Sequence, residues 1–242
     1  MDYELPSVER FTELRRLLPL AAAVLFVAAL AFPMWRIEVH AVQYPDTTLK
    51  LQLFAYPHIA GDYAEMANLN KYIGFYYPDP VFWQPNYEPH PKAIDVPEWS
   101  FGPLAFVAVG ALSGFVALAP DTKRLVRGLR YQLAGTVLVF GVMLADIQYR
   151  LHQAGHTLDP EAPVMGVDGF TPPLWGTYEV ANITSYSRFG LGVYLSVLAV
   201  LLLAVAYRYR HRETTVGELL GAVRDRLGAD SEESPAVADG GE

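Results

Sequence analysis

The stretch "RIEVHAVQYPDTTLKLQLFAY", residues 36–56, decides how much of this chain can be anything but helix. Ile37, Val39 and Ala41 fall on one side of a first alternation, and Leu49, Leu51 and Leu53 on one side of a second, with Tyr44-Pro45-Asp46 between them. A period of two places alternate side chains on opposite faces, so the two runs predict a β-hairpin around a Pro-Asp turn. Working outward, the hairpin follows directly on the apolar run that ends at Trp35, and would rise from its end.

That run is one of four. Leu17 to Trp35, Phe101 to Pro120, Tyr131 to Gln148 and Phe189 to Tyr209 are each apolar enough, over about 20 residues, to cross a hydrocarbon layer of roughly 30 Å. The composition agrees: 52% of the 242 residues are hydrophobic while the net charge is −8, which requires apolar and charged residues to be segregated along the chain. Arg15 and Arg16 precede the first run. Lys123, Arg124, Arg127 and Arg130 fill the short connection between the second and third, and Arg208, Arg210 and Arg212 follow the fourth. Basic residues are retained on the cytoplasmic side, so both termini are expected inside and the two long loops, 36–100 and 149–188, outside.

The expected architecture is therefore an all-α transmembrane four-helix bundle with a small extracytoplasmic cap containing a β-hairpin. Its divisions are a cytoplasmic N-terminus (1–16), helix 1 (17–35), the first outer loop (36–100), helix 2 (101–120), a basic inner loop (121–130), helix 3 (131–148), the second outer loop (149–188), helix 4 (189–209), and a cytoplasmic amphipathic helix with an acidic tail (210–242). Ala29 to Ala31 also resembles a small-x-small cleavage site, so a cleaved signal peptide is the alternative reading of the first span. The bilayer is the expected partner, the cell membrane the expected location, and no nucleic-acid partner is expected.

Within the first outer loop, Asp62 and Glu65 have capping-box spacing and predict a short helix carrying Met66, Leu69 and Ile73 inward. The proline-rich segment after Gly74 reads as an extended strap whose aromatics, Phe75 to Tyr77 with Phe82, Trp83 and Tyr87, cover the hairpin or lie at headgroup level. Gly110 and Gly114 have the small-xxx-small spacing of close helix packing. Val216, Leu219, Leu220, Val223 and Leu227 mark an amphipathic helix, and Asn182-Ile183-Thr184 is an N-glycosylation sequon.

Chemistry is sparse. There is no cysteine, which excludes disulfides and thiolate ligands. Phosphate-cradling loops, nucleophile elbows and His-Glu-x-x-His motifs are missing, and no enzyme is expected. Asp146 is the one acid near membrane depth, with Arg150 four residues on as its expected partner. His152 and His156 would share a helix face only if the helix continued through Gly155, a residue that commonly ends helices. His40, His58, His90, Met34, Met66 and Met165 are further candidate soft ligands.

Three stretches carry a resemblance: "FPMWRIEVHAVQYP" (32–45), "NLNKYIGF" (68–75), and "GHTLDPEAPVMGVDGFTPPLWG" (155–176) followed by "ANITSYS" (181–187). Together they resemble a family of small four-span membrane proteins found among the accessory proteins of nitrous oxide reductase in denitrifying prokaryotes. The resemblance runs from Phe32 to the fourth span. Its motif positions here are Gln43, Tyr44, Pro45, Asn70, Tyr72, Gly74, Asp159 and Pro160. It implies a membrane accessory or assembly protein for an exported copper enzyme, with copper as a candidate cofactor and the copper protein or other membrane subunits as candidate partners. The Gly-His of the motif is matched by Gly155 and His156, and His152 has no counterpart. Where the family has histidine and methionine this chain has Lys71 and Phe75, so a copper site would need His156 with His40, Met66 or Met165. The alternative is a non-catalytic structural subunit of a respiratory membrane complex.

Overall fold

The computed structural model describes residues 12–78, 91–164, 166–215, 217, 218, 221 and 224. Met165, His90, the strap aromatics Phe82, Trp83 and Tyr87, the apolar positions expected of the amphipathic helix and the acidic tail lie outside the described residues.

Among the described residues, five α-helices and five strands make up a helical layer and a sheet. In chain order they are α1 (Leu14–Ala29), β1 (Trp35–Ala41), β2 (Leu49–Leu53), β3 (Ile59–Gly61), α2 (Tyr63–Ile73), α3 (Gly102–Ala117), α4 (Thr122–His156), β4 (Gly176–Val180), β5 (Ile183–Phe189) and α5 (Leu191–Arg208). The strands form one antiparallel sheet in the order β3-β2-β1-β5-β4. An all-α architecture is therefore wrong: the protein is mixed α and β, and the segment expected as a second outer loop supplies two of the five strands among the described residues.

The reason that hairpin escapes a hydrophobic pattern is visible in β5. Its inward positions after Ile183 are Ser185 and Ser187, both buried, while Tyr186 and Arg188 point to the other face. Alternation is present, but the apolar signal is inverted. The connecting turn is Ala181-Asn182, without the glycine that usually marks a two-residue hairpin loop.

The sheet has one dry face. Trp35, Ile37, Val39, Leu49, Leu51 and Ile59 face Tyr63, Met66, Leu69 and Ile73 of α2. Met66 and Leu51 are each 1% exposed, and burying side chains of this size contributes about 2 kcal/mol apiece, which holds the helix to the sheet. Asp62 stands at the N-cap of α2, but its carboxylate accepts the Lys50 N–H at 2.9 Å. The expected capping box is thus replaced by a link from helix to sheet.

Below the sheet, α1 lies between α3 and α5, with Ala22, Phe26 and Ala29 fully buried. Cleavage after Ala31 would remove the centre of this layer. The Phe140 ring reaches in from α4, 5.5 Å from Phe26 and 4.9 Å from Phe106. Gln132 of α4 donates to the Val109 carbonyl at 2.9 Å and the Ser113 hydroxyl at 2.8 Å, tying α4 to α3. A Cβ at Gly110 would lie 3.2 Å from the Ala23 carbonyl, so this glycine sets the α1–α3 distance; one at Gly114 would meet nothing.

Three segments among the described residues are long and apolar enough to cross a membrane: Pro97–Ala117, Thr122–His156 and Leu191–Arg208. The helix of the first expected span ends at Ala29, and Trp35 already belongs to β1. Arg15 and Arg16 are the first turn of α1 and are buried. Arg16 donates to the Ala117 and Ala119 carbonyls, both at 2.8 Å, closing the end of α3, while Arg15 bonds Glu13 and Glu213. At 1.5 Å per residue the 35 residues of α4 rise about 52 Å, and its last turns bring Leu151 and Ala154 into the sheet core.

Candidate functional site

The residues that carry the motifs converge at the far end of α2. Gly74 ends that helix in the left-handed conformation, φ 77°, and the Phe75 N–H turns back to the Asn70 carbonyl at 3.1 Å. Two backbone bonds then join this turn to the chain after α4: Asp159 N–H to the Gly74 carbonyl, and Val164 N–H to the Tyr72 carbonyl, both at 2.9 Å. The approach is so close that a Cβ at Gly74 would fall 2.7 Å from the Asp159 nitrogen.

Asp159 is the hub. Its Oδ1 accepts from Lys92 Nζ at 2.5 Å and from the Glu161 N–H at 2.9 Å, and its Oδ2 accepts from the Tyr76 hydroxyl at 3.0 Å. Pro160, which has no N–H, occupies the corner of this Asx turn. The Lys92 ammonium, with the backbone and tyrosine donors, lowers the Asp159 carboxyl to about 2. Partial burial and the carboxylate push Tyr76 the other way, above its ordinary value. Behind it, Tyr77 is buried in the sheet core and bonded by the Asn70 side chain; desolvation holds its hydroxyl well above the usual range.

A cleft of about 590 Å³ opens beside this hub. Gln43 and Tyr44 from the β1–β2 loop, Lys71 and Tyr72 from α2, and Asp159 and Glu161 from the segment after α4 all line it. Pro45 is exposed in the β1–β2 loop. Three stretches far apart in the chain thus supply one rim of amide, phenol, ammonium and carboxylate groups. Such a rim offers hydrogen bonds and ring faces to a partner's surface.

The histidine pair lies at the neighbouring end of α4, which continues through Gly155 to His156. Gly155 serves a close approach instead of a stop: a Cβ there would sit 1.8 Å from the Phe170 carbonyl, and the Phe170 N–H donates to Gly155 O at 3.0 Å. The rings of His152 and His156 come within 3.9 Å, centroid to centroid. His156 Nδ1 lies 2.8 Å from the His152 carbonyl. A carbonyl only accepts, so Nδ1 is the donor in this contact, and in a neutral ring Nε2 would be the acceptor. His152 Nδ1 is 2.8 Å from the Thr171 hydroxyl.

The other candidate ligands are elsewhere. His40 is exposed on β1, between Thr48 and the Tyr186 ring, and Met66 is sealed between α2 and the dry face of the sheet. Among the described residues no group of three or more His, Cys, Asp or Glu could hold a metal. Arg150 does not pair with Asp146: its guanidinium bonds Glu98, from the turn before α3, and Gln153. Sequence reasoning missed Lys92, Tyr76 and Glu98, because each meets its partner across more than 50 residues with no periodic signal. The one local hint was Asp-Pro-Glu at 159–161, which spells an Asx turn.

Comparison with known proteins returns no match: no family model, no curated protein and no solved structure aligns with the chain.

Proposed function

We propose that this chain is a multi-pass membrane protein in which the short α1, packed between α3 and α5, crosses beside α3, α4 and α5 so that both termini are in the cytoplasm, and that its outer sheet and cleft dock an exported copper enzyme of the nitrous oxide reductase type or its copper carrier. The role is docking and assembly, without turnover by the chain itself. The observation that carries it is the convergence of Gln43 and Tyr44, Tyr72, and Asp159 on one cleft, because these positions come from the three stretches in which the resemblance resides.

Membrane placement is supported by the helix layer. Val24, Leu104, Phe115, Leu138, Val142 and Leu201 are all exposed on its periphery, where water would penalise them and lipid would not. Lys123, Arg124, Arg127, Arg208 and Arg212 are exposed at the end away from the sheet, as the charge asymmetry of an inner face requires. Copper handling is supported by the contact of His156 Nδ1 with a backbone carbonyl, the kind of second partner that orients metal-binding imidazoles and leaves Nε2 for a ligand role.

The test is a photo-crosslinking residue in place of Tyr72, which is 51% exposed at the rim of the cleft, in cells expressing the exported copper enzyme. A crosslink to that enzyme or its copper carrier is expected. A crosslink only to another membrane subunit would replace this reading by that of a structural subunit.

A further inference from the structure

Arg36 and Arg188 stand directly opposite each other where β1 pairs with β5. Trp35 and Ile37 are buried, so Arg36 points to the other face of the sheet, and both arginines are exposed there. Like charges at opposed positions of an antiparallel pair disfavour the pairing. On the other side of Arg36 the ladder places Gln52, which is neutral, and Glu38, the next residue of β1 on that face, stands opposite Lys50. Among the described residues, neither guanidinium forms an ion pair within 4.0 Å.

Position along the molecule narrows the kind of anion that would suit the pair. Arg188 is three residues before α5, and Arg36 follows the end of α1 by a short turn that is pinned to α5: Gly190 N–H donates to the Met34 carbonyl at 2.8 Å and Gly192 N–H to the Pro33 carbonyl at 3.0 Å. The pair is thus held at the junction of sheet and helices. On the helix side of this junction Phe32, Leu191 and Tyr194 are exposed, as is Trp175, whose ring lies 5.4 Å from Phe189. Two cations above a rim of exposed apolar and amphipathic side chains match a molecule with an anionic head and an apolar tail.

We propose that Arg36 and Arg188 together hold the phosphate of an outer-leaflet phospholipid, whose acyl chains lie along the apolar side chains below. Guanidinium forks suit phosphate geometry, and an anion between them turns a repulsive pair into a bridged one. This rests on the membrane placement proposed above. It assigns the two arginines a ligand.

The test is residue-resolved modification of arginines by phenylglyoxal, with the full-length protein in phospholipid nanodiscs, in phosphate-free maltoside detergent, and in that detergent with inorganic phosphate. In nanodiscs Arg36 and Arg188 are expected to react roughly tenfold more slowly than in detergent, equivalent to about 1.4 kcal/mol of binding, with inorganic phosphate giving little protection. In the Arg36→Gln variant, protection of Arg188 should fall several-fold, because one guanidinium no longer shares the phosphate. Equal protection by inorganic phosphate would make this a free-anion site and overturn the lipid assignment. Undiminished protection of Arg188 in the variant would overturn the clamp. Carbene labelling of Leu138 and Val142 from the lipid phase of the same nanodiscs reads the membrane placement separately: labelled helices with fully reactive arginines would defeat the clamp alone.

Discussion

Lys92 and Asp159, 67 residues apart in sequence, form an ion pair of 2.5 Å that fastens the segment before α3 to the segment after α4. An aspartate in an unfolded chain titrates near about 3.9. In the folded protein Asp159 is lowered to about 2, by Lys92 first and then by the Glu161 N–H. As pH falls, the unfolded state therefore takes up the proton first. The stabilisation from this carboxylate is fully present above the unfolded value, declines between about pH 4 and about pH 2, and is gone below. Asp159→Asn should lower the melting temperature at neutral pH and flatten the acid limb in that window, followed by tryptophan fluorescence in detergent. An unchanged acid limb would remove Asp159 from its place as hub.

Arg16 is 2% exposed and closes two carbonyls at the end of α3, those of Ala117 and Ala119. Arg16→Ala would leave Ala117 and Ala119 without this donor and take one positive neighbour from Glu13, which is 8% exposed and lies 3.6 Å from the Arg16 Nε. Removing one partner of such a buried cluster costs about 3 kcal/mol. Arg16→Lys should recover only part of it, since one ammonium on a flexible stem replaces a planar fork. A melting temperature within a degree or so of wild type for Arg16→Ala would show that the cluster contributes nothing net.

Two glycines of α4 should respond in opposite directions. At Gly155 a methyl group would collide with the Phe170 carbonyl, so Gly155→Ala must displace the segment around residue 170 and is expected to cost about 2 kcal/mol or more. At Gly141 a Cβ meets nothing within 4 Å, and Gly141→Ala should be neutral or stabilising by up to about 1 kcal/mol through helix propensity. Melting of the two variants side by side checks this, and equal effects would contradict the close approach at Gly155.

Ala181 is the only non-glycine with positive φ among the described residues, 54°, at the β4–β5 turn. A Cβ in that conformation costs roughly 1–2 kcal/mol, and glycine pays part of that back in chain entropy. Ala181→Gly should therefore raise stability by about 0.5–1 kcal/mol, and Ala181→Val should lower it. A loss of stability in the glycine variant would mean that the turn has another conformation.

How much of this was legible beforehand depended on whether a pattern was local. The alternation of Ile37, Val39 and Ala41 with Leu49, Leu51 and Leu53 lies on the strands β1 and β2, and each of the four apolar runs contains most of a helix or a part of one, although the first runs past Ala29 into β1 and the fourth begins in β5. Strand β5 was hidden because Ser185 and Ser187 fill its inward positions. The extent of α4 was hidden because its outer turns, from Tyr149 to His156, are polar on the face away from the sheet while only Leu151, Ala154 and Gly155 turn inward. At the site, the motif positions could be named from sequence, but Lys92 and Tyr76 could not. Their bonds to Asp159 are consequences of topology, and topology was where the all-α expectation failed.

The histidine pair decides between copper handling and docking alone. His156 presents Nε2 because its Nδ1 is held by the His152 carbonyl, and the His152 ring lies against it at 3.9 Å. Neutral imidazole is a good ligand for copper, and its affinity rises with an oriented second nitrogen. Cu(I) competition with a calibrated chelator should therefore show one tight ion per chain in the wild type. His156→Ala should abolish it, and His152→Ala should weaken it by about tenfold to a hundredfold if the second ring shares the metal. A wild-type affinity equal to that of His156→Ala would leave the cleft as a docking surface only, with the two rings serving to pack the end of α4 against Thr171 and Gly169.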